Sequence, residues 1–176
     1  MNKQMLVPSG ISAIRLAALP LFIYFFFNSN TAVATLVFGV AAVTDLFDGY
    51  FARNLGATSK FGAYFDAAID FIFVSGIFAA FAINSYYPVW MLVLIAISFA
   101  QFLFSSLYTK KLYDPIGKYI GSLLYIAIAL TLLSPATLTF IFVQIGFSLY
   151  AITFFVTRTA SFTSTYRKTH FLKKSA

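Results

Sequence analysis

The feature that most constrains this chain is a cluster of four aspartates in an otherwise strongly apolar sequence. Of its 176 residues, 61% are hydrophobic and only five are acidic. Four of these five lie within residues 45–70, namely Asp45, Asp48, Asp66 and Asp70. Because a charged side chain is costly to bury in an apolar environment, the fold must bring in partners that stabilise these carboxylates.

The spacing of the aspartates places them on two helix faces that also carry small residues. Positions i, i+3, i+4 and i+7 share one face of an α-helix, and so do positions i, i+4 and i+8. The first set is Asp45, Asp48, Gly49 and Ala52, and the second is Gly62, Asp66 and Asp70. A short polar segment, residues 54–60, separates the two runs. We therefore expect two antiparallel neighbouring helices whose carboxylates meet as two pairs, Asp45 with Asp70 and Asp48 with Asp66.

The composition is typical of a membrane protein that crosses the bilayer several times. The mean hydropathy is +0.88 and only 10% of residues are charged, which lies outside the range of soluble domains. Six apolar segments each approach the roughly 20 residues that a bilayer core requires. They are residues 10–27, 31–53, 61–84, 87–108, 115–134 and 136–157. We expect an all-α polytopic membrane protein in which six transmembrane helices form a single domain over residues 1–176.

The distribution of Lys and Arg predicts the orientation of these helices. The three loops near residues 28–30, 85–88 and 134–136 contain no Lys or Arg, whereas the opposite ends and the tail, residues 158–176, are basic. By the positive-inside rule, both termini and the aspartate cluster should lie on the cytoplasmic side of the cell membrane. The net charge of +7 follows from these basic flanks. It indicates contact with anionic lipid headgroups and no nucleic-acid partner.

Four carboxylates in apolar surroundings require cations, and the nearby basic residues are too few. Arg53 and Lys60 cannot neutralise four like charges held close together. Ligation by oxygen alone suits Mg²⁺ or Mn²⁺, and the chain has no Cys for a thiolate site. Two such ions sharing bridging carboxylates favour displacement at phosphorus. The alternatives are a structural ion-pair cluster, a proton relay, or the ion site of a small cation or proton transporter.

The same stretch resembles the signature of the CDP-alcohol phosphatidyltransferases, D-x2-D-G-x2-A-R-x8-G-x3-D-x3-D. Its fixed positions are met at Asp45, Asp48, Gly49, Ala52, Arg53, Gly62, Asp66 and Asp70. The resemblance implies six membrane helices around a cytoplasm-facing intramembrane site for two Mg²⁺ ions, for which Mn²⁺ can substitute. It also implies a homodimer that transfers a phosphatidyl-type group from a CDP-linked lipid to a small alcohol and releases CMP.

The resemblance also implies a role for each residue of the signature. Asp45 and Asp66 would bridge the two ions, Asp48 would complete the first site, and Asp70 would serve the second and act as the general base. The residues implied at the CDP-linked lipid are Gly49, Ala52, Arg53, Ser59 and Gly62, with Ser9 and Ser12 from a looser match near the N-terminus. That match retains Pro8 and Arg15. Arg15 would contact the nucleotide, or would be an interfacial anchor with its head in the headgroup region.

The acceptor alcohol is less constrained by the sequence. Four basic residues at expected cytoplasmic helix ends are candidates for binding an acceptor phosphate, namely Lys110, Lys111, Lys118 and Arg158. Members that transfer to glycerol phosphate often carry a Gly-Lys pair followed by Lys-Thr, whereas here Gly117-Lys118 is followed by Tyr119-Ile120. Glycerol 3-phosphate is the first expectation. Inositol phosphate, serine and another phosphatidyl lipid are the alternatives.

Overall fold

The structure is a computed structural model of the chain. It describes the backbone of residues 6–55, 60–109 and 115–174. It describes the side chains of residues 14–45, 64–104 and 121–153, with those of Phe155, Val156 and Thr159. The described residues form six α-helices and no strands. The helices are α1 (Leu6–Phe27), α2 (Thr31–Leu55), α3 (Lys60–Ile83), α4 (Trp90–Thr109), α5 (Pro115–Leu133) and α6 (Thr137–Lys174).

The described residues form helices and no strands, which confirms the all-α prediction. Five of the six helices begin and end within a few residues of the predicted apolar segments. The exception is α6, which contains 38 residues and continues through the predicted basic tail as far as Lys174. At about 1.5 Å per residue it is roughly 57 Å long, well beyond a bilayer core of about 30 Å. The basic part of the chain is therefore a continuation of the last helix.

One helix within the described residues, Tyr64–Ile83, is by itself long and apolar enough to cross a membrane. The other apolar helical stretches in this part of the chain are shorter. They are Ile14–Phe27, Thr31–Asp45, Trp90–Phe104, Gly121–Leu133 and Thr137–Thr153.

The helices α1 and α3 end in the same way, just before the chain reverses direction. Ser29 and Ser85 have φ values of 59° and 60°, in the left-handed region that closes a helix C-terminus. Around Ser85, the N–H of Ser85 donates to Ala82 O and that of Tyr86 donates to Phe81 O. Ser29 and the residue after it repeat both bonds at the end of α1. These paired bonds satisfy the last carbonyls of α1 and α3, so both helices stop sharply before the chain turns.

The aromatic core lies at the end of the molecule that contains these turns. Phe22 of α1 is fully buried and packs edge-to-face on Phe81 of α3, with ring centroids 6.3 Å apart. In the α3–α4 turn, the Tyr87 hydroxyl lies 2.5 Å from Thr131 Oγ1 of α5. Thr131 Oγ1 itself donates to Ala127 O, so Tyr87 is the donor of the first bond. This chain of bonds fixes the turn to α5.

The helix at the centre of the fold is α1, which packs against both α2 and α3 more extensively than any other pair of helices contact each other. Phe38 of α2 stacks on Phe73 of α3, with centroids 6.4 Å apart, and Asp45 meets Asp70 at Arg15, so α2 and α3 run antiparallel as predicted. Most of the packing between them, however, runs through α1. Gly76 of α3 allows a close approach, because a Cβ there would lie 2.8 Å from the Leu19 methyl carbons. The helix α1 therefore packs against both helices that carry the predicted site.

Candidate active site

Three charged residues from three helices meet at one level of the bundle. Arg15 lies on α1, Asp45 on α2 and Asp70 on α3. Counted from the helix ends at the α1–α2 and α3–α4 turns, all three lie roughly 18–21 Å away at about 1.5 Å per residue. The antiparallel course of the helices therefore brings together charges that are far apart in sequence.

The contacts between these residues are ion pairs through a single nitrogen. Arg15 Nη1 lies 2.8 Å from Asp45 Oδ1, and the same nitrogen contacts Asp70 Oδ1. The Arg15 side chain is 2% exposed, whereas those of Asp45 and Asp70 are 35% and 37% exposed. The cation is thus enclosed by the bundle, while both carboxylates retain an accessible side. The pairing of Asp45 with Asp70 agrees with the prediction from their spacing.

The sequence analysis left two alternatives open for Arg15, contact with the nucleotide or an anchor at the membrane interface. Its side chain is enclosed between helices and paired with two aspartates, which excludes a head group placed at the membrane interface, whereas contact with the nucleotide stays a prediction. A signal for this was present, because Arg15 is the only charged residue between Lys3 and Asp45. A single buried charge in an apolar helix requires a partner of opposite charge.

An aromatic layer closes the site on the side of the turns. The rings of Phe38, Phe73 and Tyr125 contact one another with centroids 5.8–6.4 Å apart. We call these three residues the aromatic floor. The Tyr125 hydroxyl is buried without a hydrogen-bond partner among the described residues. Phe38 and Phe73 belong to the same buried cluster as Phe22 and Phe81, so the aromatic floor is continuous with the aromatic core.

The donor atoms at this site fit a hard divalent cation. Carboxylate oxygens are the ligands that Mg²⁺ prefers, and Asp45 and Asp70 are accessible enough for a cation to reach them. Asp66 lies one turn before Asp70 on α3 and is partly exposed. Within the described side chains, no three Asp, Glu, His or Cys residues come together as a metal site. Asp48, the remaining predicted ligand, lies outside the described side chains.

The other residues predicted from the sequence also lie outside the described side chains. Most are on helices, namely Ser9 and Ser12 on α1, Gly49, Ala52 and Arg53 on α2, Gly62 on α3, Lys118 on α5 and Arg158 on α6. Ser59, Lys110 and Lys111 lie outside the described backbone as well. Their predicted roles at the CDP-linked lipid and the acceptor stay predictions.

The sequence was also compared with known proteins. The chain is 34% identical over 95 residues to a Mycobacterium tuberculosis protein named "Putative cardiolipin synthase", which covers 52% of this chain and 44% of that protein. It is 33% identical over 91 residues to the CDP-diacylglycerol–glycerol-3-phosphate 3-phosphatidyltransferase of Escherichia coli, covering 50% of this chain and 49% of that one. The chain therefore spans about half the length of the curated relatives it matches.

The match to a family profile extends over nearly the whole chain. The profile described as CDP-alcohol phosphatidyltransferase matches residues 5–159. This range includes the aspartate cluster, Arg15 and the aromatic floor, and all six helices contribute to it. The chain belongs to the CDP-alcohol phosphatidyltransferase family of membrane enzymes.

Proposed function

We propose that this protein transfers a phosphatidyl-type group from a CDP-linked lipid to a small alcohol and releases CMP. The observation that carries the proposal is the convergence of Asp45 and Asp70, from α2 and α3, on one buried cation. These are the first and last aspartates of the family signature. Family membership and this convergence together favour the transferase over a cation or proton transporter built on the same cluster.

The proposed reaction is a displacement at the lipid-side phosphorus of the diphosphate. The acceptor oxygen forms a bond to that phosphorus, the bond from phosphorus to the bridging oxygen breaks, and CMP leaves with that oxygen. Asp70 takes the proton of the acceptor hydroxyl, since a carboxylate within hydrogen-bond reach of a hydroxyl can act as a general base. Its partly exposed position, beside Asp45, is compatible with access to a hydroxyl from the mouth of the site.

A divalent cation at this site would stabilise the charge on the diphosphate. Asp45, Asp48, Asp66 and Asp70 are the residues that would hold two Mg²⁺ ions, with Asp45 and Asp66 shared between them. Gly49 would let the backbone approach the substrate, and Arg53 would pair with its phosphates. Ala52, Ser59 and Gly62, with Ser9 and Ser12, complete the proposed site for the CDP-linked lipid.

Glycerol 3-phosphate is our first proposal for the acceptor. The Escherichia coli relative is named for that acceptor, whereas the mycobacterial relative is named for a different product, so the two names favour it only weakly. Lys118 at the start of α5 is the preferred residue for the acceptor phosphate, with Lys110, Lys111 and Arg158 as further candidates. Inositol phosphate, serine and a second phosphatidyl lipid are the alternatives. The proposed assembly is a homodimer in the cell membrane, with its site open to the cytoplasm.

The test is CMP release by the purified protein with CDP-diacylglycerol and Mg²⁺, one acceptor at a time. We expect release with glycerol 3-phosphate that stops when EDTA removes the metal. Release with a different acceptor alone would retain the chemistry and replace the acceptor. Failure to release CMP with any acceptor, in protein that binds CDP, would contradict the use of this donor.

A matched pair of variants tests whether CMP release depends on the aspartate cluster. Asp66→Asn should abolish Mg²⁺-dependent release, because it removes a proposed bridging ligand. Asp114→Asn removes the one acidic residue outside the signature and should leave release close to that of the wild type. Equal activity in both variants would contradict the assignment of the metal site.

A further inference from the structure

Arg15 is the most completely buried charged group among the described side chains, and its environment is unusual for an arginine in an apolar helix. Its whole-residue exposure is 1%, among the lowest in the core. Burying an isolated guanidinium is unfavourable unless opposite charges lie in contact with it. The structure supplies two such charges from two other helices, through the same nitrogen of Arg15.

This geometry gives Arg15 a function that packing alone does not explain. Asp45 and Asp70 are both proposed cation ligands, and each engages Arg15 through its Oδ1 atom. Two carboxylates held this close repel each other, and the repulsion is strong where water is scarce. A cation between them offsets that repulsion and sets their separation. Since the guanidinium is carried by α1, it would act on this separation with or without a bound metal ion.

We propose that Arg15 is a positioning residue that holds Asp45 and Asp70 at the spacing required for the reaction and supplies part of their countercharge. This role rests on the proposed function, because it assigns both carboxylates to cation binding. Arg15 acts on the substrates through the two aspartates. Arg15 extends the proposed site to α1, whereas the residues of the family signature lie on α2 and α3.

The experiment is thermal unfolding of the purified full-length protein in EDTA and in excess MgCl₂, comparing the wild type with Arg15→Met. Methionine keeps an unbranched side chain but removes the charge. In EDTA we expect the Tm of Arg15→Met to fall by at least about 5 °C, because two adjacent carboxylates lose their countercharge. In MgCl₂ the difference should shrink, because Mg²⁺ supplies positive charge to the same two carboxylates. The rise in Tm on adding MgCl₂ should therefore be larger in Arg15→Met than in the wild type.

Two further variants separate this role from simple packing. Phe22→Leu reduces a fully buried contact of α1 without touching the carboxylates, so its loss of Tm should be the same in EDTA and in MgCl₂. In a protein carrying Asp45→Asn and Asp70→Asn, Arg15→Met should no longer lower the Tm, because there is no repulsion to relieve. If Arg15→Met does not fold, Arg15→Lys takes its place. Lysine keeps the charge but has a smaller head group, so we expect a smaller loss of Tm.

The outcomes distinguish this proposal from the proposed function. A loss of Tm that is equal in EDTA and MgCl₂, or that persists in the doubly substituted background, would overturn the positioning role of Arg15. If MgCl₂ leaves the Tm of both the wild type and Arg15→Met unchanged, the proposed metal site is contradicted. In that case, the effect of Arg15→Met on the Tm in EDTA still decides whether Arg15 holds the carboxylates together. This effect is compared between the wild-type protein and the protein that carries Asp45→Asn and Asp70→Asn.

Discussion

At the scale of single residues, the proposed chemistry assigns different tasks to the two paired aspartates. Both contact Arg15, but only Asp70 is proposed to take a proton from the acceptor. We predict that Asp70→Asn lowers CMP release by roughly 10²-fold or more, the typical contribution of a general base. CDP binding should be nearly unchanged, because Asn is close to Asp in size and the other three aspartates of the signature remain. The measurement is the rate of CMP release, with calorimetric titration of CDP in parallel.

Two outcomes would contradict the prediction for Asp70→Asn. Wild-type turnover in the variant would exclude Asp70 as the base. Equal loss of CDP binding and turnover would instead make it a residue that binds the donor. Asp114→Asn, outside the cluster, is the control for effects of removing any one acidic residue.

A second residue-scale prediction concerns the hydroxyl pair that fixes the α3–α4 turn. Tyr87→Phe removes the donor but leaves Thr131 Oγ1 bonded to Ala127 O, so we expect a loss of about 1 kcal/mol in the free energy of unfolding. Thr131→Val leaves the Tyr87 hydroxyl buried without its partner and should cost about 1–3 kcal/mol. Denaturant unfolding in detergent measures both. A larger loss for Tyr87→Phe than for Thr131→Val would reverse the assignment of donor and acceptor.

Sequence reasoning reached the aspartates but not their partner, for a physical reason. Helical periodicity describes one helix at a time, so it could place Asp45 and Asp70 on faces and at depths. The position of Arg15 depends on how α1 packs against two other helices, which no local pattern contains. Tyr125 was missed for the same reason, since it reaches the site from α5 through contacts with Phe38 and Phe73.

At the scale of helices, the close contact of α1 with α3 depends on Gly76. We predict that Gly76→Ile lowers the free energy of unfolding by about 1–3 kcal/mol, because the added side chain overpacks the contact with Leu19. Gly146→Ile on α6 is the matched control, because nothing lies within 4 Å of a Cβ at that position. Adding Leu19→Ala should recover part of the loss at Gly76. Similar losses at both glycines would show that the cost comes from replacing a helical glycine and not from overpacking.

The ends of the helices show which element boundaries the sequence determines. Hydropathy located the turns near Ser29 and Ser85, where polar residues interrupt apolar runs. It could not locate the end of α6, because the sequence becomes polar after residue 157 while the backbone remains helical to Lys174. An apolar run reports burial in lipid or protein, whereas a helix can continue into water on its own hydrogen bonds. The sequence analysis therefore predicted the charge of this segment correctly but did not predict that it is helical.

At the scale of the whole molecule, the charged site lies far from the α1–α2 and α3–α4 turns, in the half of the bundle where the basic residues concentrate. The turns themselves carry no Lys or Arg. If the basic ends face the cytoplasm, the aspartates are open to cytosolic nucleotide-linked lipid and acceptor. If they face outward, the proposed substrates cannot reach the site. Orientation is therefore a condition of the proposed function.

Orientation can be measured directly because the chain contains no Cys. Ser134 in the α5–α6 turn and Thr159 on α6 are both exposed. They are roughly 33 Å or more apart along the chain at about 1.5 Å per helical residue, enough to lie on opposite sides of a bilayer core. We predict that Ser134→Cys reacts with a membrane-impermeant maleimide in intact cells, whereas Thr159→Cys reacts only after the membrane is permeabilised. The reverse pattern would place Asp45 and Asp70 on the outer side, and reaction of both variants in intact cells would contradict a membrane crossing by α6. The reverse pattern would rule out a cytosolic acceptor reaching the site as proposed, since orientation and access are set by the same helices.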